Sequence, residues 1–105
     1  MPVSKPQQQK RIRPDEKIPL RLSQRERQLI IEKTFAPDEL TLRLRLVQVE
    51  GKAPIYRFTL DELDELAGYV AAEANHAKSK KLENELDRIF NRIDDLLGRY
   101  TDEEN

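Results

Sequence analysis

The chain has no cysteine, no tryptophan, one histidine, one methionine and three glycines among its 105 residues. Each shortage removes a class of function. Without cysteine there is no disulfide framework, no thiolate nucleophile and no thiolate zinc site. A single histidine leaves triads and multi-histidine metal sites short of members. Scarce glycine leaves no Gly-rich loop to cradle phosphates. No apolar run approaches the roughly 20 residues that a membrane span needs. Residues 1–14 are basic but carry no apolar stretch, so no secretory signal is expected there. These readings together predict a cytoplasmic, non-enzymatic protein with no cofactor, no membrane partner and no small-molecule substrate.

Charge is abundant. Charged residues make up 37% of the chain, hydrophobic residues another 37%, and the formal net charge is -1. That balance hides an asymmetry. Residues 1–58 hold thirteen basic and seven acidic side chains, a net +6, whereas residues 59–105 hold six and thirteen, a net -7. Opposite halves attract each other, within one molecule or between copies, and a basic half also suits a polyanion.

Three segments follow from composition. Residues 1–16 contain three prolines, a Gln7-Gln8-Gln9 run and few apolar side chains, and read as a disordered basic tail. Residues 17–100 read as a single α+β domain. Residues 101–105 read as a frayed acidic C-terminus.

An internal match carries most of the structural information. Leu20-Arg21-Leu22-Ser23-Gln24-Arg25-Glu26 aligns with Tyr56-Arg57-Phe58-Thr59-Leu60-Asp61-Glu62 at an offset of 36 residues. Each copy places Arg between two large apolar residues, then a Ser or Thr followed three positions later by Glu. The second pattern is a capping box, in which the hydroxyl accepts from the N3 amide and the Glu accepts from the cap's own amide. Each copy therefore predicts a short strand entering a helix. Ile18, Leu20 and Leu22 alternate with Lys17, Pro19 and Arg21, and Tyr56 and Phe58 alternate with Ile55 and Arg57, as half-buried strands do. Pro19 points to a sheet edge.

Residues 37–50 support two readings. Leu40, Leu42, Leu44 and Leu46 alternate with polar residues as in a strand, while Ala36-Pro37-Asp38-Glu39 opens a helix and Leu40, Leu44 and Val47 share a helical face. We expect a helical turn near 37–40, then a strand over 41–49 that forms a hairpin with 55–58 through the turn at 50–54. Beyond Thr59 the pattern is helical. Leu63, Leu66, Ala67, Val70 and Ala74 mark one helix to about residue 75. Leu82, Leu86, Ile89, Ile93, Leu96 and Tyr100 step by four and three along another, with Ser79 as its N-cap. A helical hairpin is expected, with one long kinked helix as the alternative. The predicted fold is thus α+β, a small two- or three-stranded sheet covered by one N-terminal helix and a C-terminal helical hairpin.

Three functional readings follow. The heptad seam of the last helix suits a partner helix, so Leu86, Ile89, Phe90, Ile93 and Leu97 form a candidate interface with a second copy or another protein. Lys10, Arg11, Arg13, Lys17, Arg21, Arg25 and Arg27 form a candidate nucleic-acid surface. Glu73 and His76, three apart on a helix, match one half of a carboxylate-bridged metal motif, which needs a second copy to be complete. Residues 17–34, a basic strand followed by a Ser-capped helix, also resemble the first half of ribbon-helix-helix repressors. That resemblance implies paired strands lying in a DNA groove with Lys17, Pro19 and Arg21 outward. The chain departs from that pattern where a second helix should follow, because 37–58 reads as extended.

Overall fold

Two capping boxes set the layout. Ser23 Oγ accepts from the Glu26 amide at 3.1 Å and Glu26 Oε1 accepts from the Ser23 amide at 2.9 Å. Thr59 and Glu62 repeat the exchange at 3.2 and 2.8 Å. Both caps lie in extended backbone, so each strand passes into its helix within one or two residues. In the computed structural model, which describes residues 10–46 and 54–102, the elements are β1 (Lys10–Ile12), β2 (Ile18–Arg21), α1 (Gln24–Lys33), α2 (Asp38–Leu46), β3 (Ile55–Phe58), α3 (Leu60–Asn75), α4 (Lys80–Arg99) and β4 (Tyr100–Asp102). The protein is α+β, as its sequence predicts.

The matched strands pair with each other. β2 and β3 form a two-stranded antiparallel ribbon with Leu20 opposite Tyr56, Ile18 opposite Phe58, Pro19 opposite Arg57 and Arg21 opposite Ile55. Leu20 and Tyr56 are equivalent positions of the internal match, so a local two-fold relates the two strands. Both flanks of a two-stranded ribbon are edges, which accommodates the missing N–H of Pro19. The inward residues Ile18, Leu20, Leu22, Tyr56 and Phe58 are buried.

α3 and α4 form the expected helical hairpin and share the largest interface between elements. The turn runs through His76, whose amide donates to the Glu73 and Ala74 carbonyls. Ser79 Oγ then accepts from the Leu82 amide at 3.1 Å and opens α4. Leu63, Leu66 and Val70 of α3 meet Leu86, Ile89 and Ile93 of α4 in one core, all fully buried.

Four expectations are corrected. Residues 41–46 belong to helix α2, not to a strand, and 47–49 lie outside the described residues. The Pro37 carbonyl accepts from the Leu40 and Thr41 amides at 2.9 and 3.1 Å, which starts the helix early. Leu40, Thr41 and Leu44 are buried and Leu42 is 51% exposed, so the four-residue spacing prevails over the two-residue one. Arg27 Nε of α1 donates to the Leu44 carbonyl at 2.6 Å, satisfying an acceptor in the last turn. Second, β3 pairs with β2, and the described residues 41–46, being helical, form no hairpin with it. Third, the basic tail does not extend to residue 16: residues 10–12 form β1 and bury Ile12, while 1–9 lie outside the described residues. Fourth, residues 101–102 are not a frayed end. β4 pairs in parallel with β1, Lys10 opposite Tyr100 and Ile12 opposite Asp102. Residues 103–105 lie outside the described residues.

One core group is unsatisfied. Tyr56 is 1% exposed and its hydroxyl makes no hydrogen bond among the described residues. Burial pushes its pKa up, against a smaller opposing effect of Arg27. A buried polar group without a partner costs stability, so Tyr56→Phe is expected to raise the unfolding free energy by about 1 kcal/mol. Urea denaturation followed by circular dichroism measures this. A decrease would show that the hydroxyl is hydrogen-bonded in solution.

Candidate functional site: the outer face of the ribbon

Alternation along two paired strands sends one set of side chains into the core and the other to solvent. The outward set is Pro19 and Arg21 on β2 and Ile55 and Arg57 on β3, all exposed, with Lys17 exposed just before β2. Arg21 and Arg57 occupy diagonal positions of the register, which places them about 7–8 Å apart across the ribbon. Neither guanidinium, nor the Lys17 ammonium, forms an ion pair among the described residues. No carboxylate shares this face of the two strands.

The arginines behind the ribbon are committed instead. Arg92 Nη1 of α4 donates to Glu26 Oε1 at 2.6 Å and to the Arg21 carbonyl at 3.0 Å. Arg43 of α2 donates to Glu62 Oε1 and lies over the Phe58 ring, 5.6 Å from its centroid. Each capping-box glutamate thus accepts from its own cap amide and from an arginine on the second helix of the other strand-helix unit. Burial raises the carboxyl pKa in both, but the hydrogen bonds from arginine and cap amide prevail and hold Glu26 and Glu62 below the usual carboxylate range. This reciprocal exchange ties the ribbon to all four helices.

The expected nucleic-acid residues divide into two groups. Lys10 and Arg11 are exposed on β1, Lys17 and Arg21 on or beside β2, and Arg13 is exposed with a long 3.8 Å contact to Asp15. Arg25 and Arg27 serve the fold. Arg25 Nε and Nη2 donate to the two Glu85 carboxylate oxygens at 3.1 Å each, which lowers the Glu85 pKa, and Arg27 is spent on the Leu44 carbonyl. Arg57 was not among the expected residues. The signal for it was present, because it is the equivalent of Arg21 in the internal match.

The other candidates fare differently. Leu86, Ile89 and Ile93 of the expected protein interface are fully buried within the chain, leaving Phe90 and Leu97 as half-buried remnants of that seam. The four- and three-residue repeat is consumed by α3 and the ribbon, so it offers no free stripe to a second helix. Glu73 is half-buried near the end of α3 and His76 is exposed at its C-cap. Among the described residues no three His, Asp or Glu side chains converge as a metal site would require. Among the described residues the most exposed large apolar side chains are Phe35, at 88%, and Leu42.

A groove of about 340 Å³ runs beside the ribbon. Pro19, Arg21 and Ile55 form one wall, and Arg92, Asp95, Leu96, Arg99 and Tyr100 form the other. A broader depression of about 640 Å³ between α1 and α2 mixes both signs of charge, with Glu32 beside Lys33 and Arg45. No described helix is long and apolar enough to cross a membrane. Comparison with known protein families, with curated proteins and with solved structures finds no match.

Proposed function

We propose that the chain binds double-stranded nucleic acid through the outer face of the β2–β3 ribbon. One observation carries this reading: Lys17, Arg21 and Arg57 stand exposed and without ion pairs among the described residues, on a face to which neither ribbon strand contributes a carboxylate, while the arginines behind it are paired. A two-stranded ribbon has the width to enter a major groove. The layout supports the same reading, since each ribbon strand is followed by two helices and α2 supplies the helix whose expected absence set the chain apart from ribbon-helix-helix repressors. Lys10 and Arg11 on β1 add cations to the same half of the chain.

The test is a salt titration of binding to a duplex oligonucleotide. Each phosphate contact contributes about -0.9 to the slope of log affinity against log salt. The double variant Arg21→Ala/Arg57→Ala is expected to flatten that slope by about 2, whereas Arg25→Ala, whose guanidinium already serves Glu85, is expected to leave it unchanged. Absence of binding at low ionic strength would overturn the proposal. A second reading, association with another copy of this chain, is favoured by the exposed Phe35 and Leu42 and by no residue of the α4 seam. The mass of the free protein at high concentration distinguishes the two.

A further inference from the structure

The ribbon face accounts for Arg21 and Arg57 but not for the groove next to it. That groove has two chemically distinct halves. Arg21, Arg92 and Arg99 outnumber the single carboxylate of Asp95, so the lining carries a net positive charge. Arg92 is fixed by Glu26 and the Arg21 carbonyl, and Arg99 Nη2 by Asp95 at 2.8 Å. Their guanidinium planes are pre-set, and each retains N–H groups beyond those used. Arg21 alone of the three has no ion pair among the described residues. The other half is apolar. Ile55 is 38% exposed, the only large apolar residue on the ribbon's outer face left open to solvent, and it faces the groove with Leu96 and the half-buried Tyr100.

A cation beside an apolar wall with an aromatic ring suits an anion attached to a flat, weakly polar body. The volume lies at the small end of the range that holds a small molecule, about 300–1,000 Å³. It is too small for a duplex and large enough for one unit of a strand. From these features we infer that the groove takes one unpaired nucleotide of a nucleic-acid strand. Its phosphate meets Arg21, and its base lies against Ile55, Leu96 and Tyr100. This inference rests on the nucleic-acid reading and sharpens it: the preferred target is a duplex with a single-stranded extension, not a blunt duplex. Charge complementarity selects the phosphate. The apolar wall selects the base, because base–aromatic contact is sequence-tolerant and needs no hydrogen-bond pattern.

Fluorescence anisotropy with three DNA probes tests it: a blunt duplex, the same duplex with a three-nucleotide overhang, and the same overhang made abasic. The overhang is expected to bind about tenfold more tightly than the blunt end, the scale of one stacked base. The abasic overhang is expected to bind no better than the blunt duplex. Leu96→Thr, checked for folding by its thermal melt, is expected to erase the overhang advantage and leave blunt-duplex binding unchanged. Equal binding of blunt and overhang probes by the native chain would overturn the groove assignment while the ribbon reading stands. Binding of neither would overturn the ribbon reading itself. A glutamate-rich peptide that binds as tightly as the overhang would also overturn the assignment, placing an acidic protein segment in the groove. The abasic comparison needs no variant, so it decides the matter even if Leu96→Thr fails to fold.

Discussion

Replacing Phe58 with alanine is expected to lower the unfolding free energy by about 3–5 kcal/mol, the range for truncating a fully buried aromatic. Three roles converge on this side chain. It is fully buried at the end of β3, opposite Ile18 of β2. It precedes the N-cap Thr59, and with the buried Leu63 at N4 it occupies the two positions of a hydrophobic staple that orients α3. Its ring also lies under the Arg43 guanidinium, which in turn holds Glu62. Truncation leaves a cavity where ribbon, α2 and α3 meet. Against a typical total of about 5–15 kcal/mol, such a loss moves the protein toward the unfolding threshold. Urea denaturation at neutral pH measures it. The same change at Phe35, 88% exposed, is expected to alter stability by less than about 0.5 kcal/mol. Equal losses at the two positions would show that the buried and exposed assignments of these phenylalanines do not hold in solution.

The second large effect is on acid stability. Glu26 and Glu62 have folded-state pKa values lowered below the usual range. In the unfolded chain each titrates near 4.3. A group whose folded pKa is depressed contributes stability above its unfolded pKa, and that contribution is lost as pH falls through the folded value. Unfolding free energy should therefore decline from about pH 4.3 downward as these two carboxylates take up protons. The double variant Glu26→Gln/Glu62→Gln is expected to be about 2 kcal/mol less stable at pH 7, after allowing for the partly exposed Arg92 and Arg43 partners. It is also expected to show a flatter acid limb, so that the native chain loses its advantage over the variant as pH falls below about 4.3. Denaturant midpoints measured between pH 7 and pH 3 provide the check. Parallel curves would remove these glutamates as the source of acid sensitivity. Glu85 is lowered too, by hydrogen bonding to Arg25, but that pair is solvated and adds little.

Sequence and structure agree where the signals are local. The capping boxes at Ser23 and Thr59, the N-cap at Ser79 and the apolar stripe of α4 all depend on residues within one or two helical turns. They appear where the spacing places them. The spacing over 41–46 is ambiguous because Leu40, Leu42, Leu44 and Leu46 satisfy both a strand and a helix. Tertiary context chose, by burying Leu40 and Leu44, exposing Leu42 and supplying the Arg27 cap to Leu44. The α4 stripe is legible in the sequence as an apolar face, but periodicity marks a buried face without naming what buries it, and only the structure shows α3 over Leu86, Ile89 and Ile93. Arg25 and Arg27 looked equal to Arg21 in composition. Only contacts with Glu85 and Leu44, 60 and 17 residues away in sequence, separated them from it.

Local patterning thus determined this protein's fold class, its strand-to-helix boundaries, its helical hairpin and the equivalence of Arg21 with Arg57. Each follows from interactions spanning a few residues, which a chain carries with it before it folds. The tertiary structure alone decided that the two matched strands pair with one another, that Arg92 and Arg43 cross over to the opposite capping glutamates, and that β1 closes on β4. Those outcomes depend on which surfaces compete for the same core. That competition also selects, from nineteen basic side chains, the few left unpaired on the ribbon.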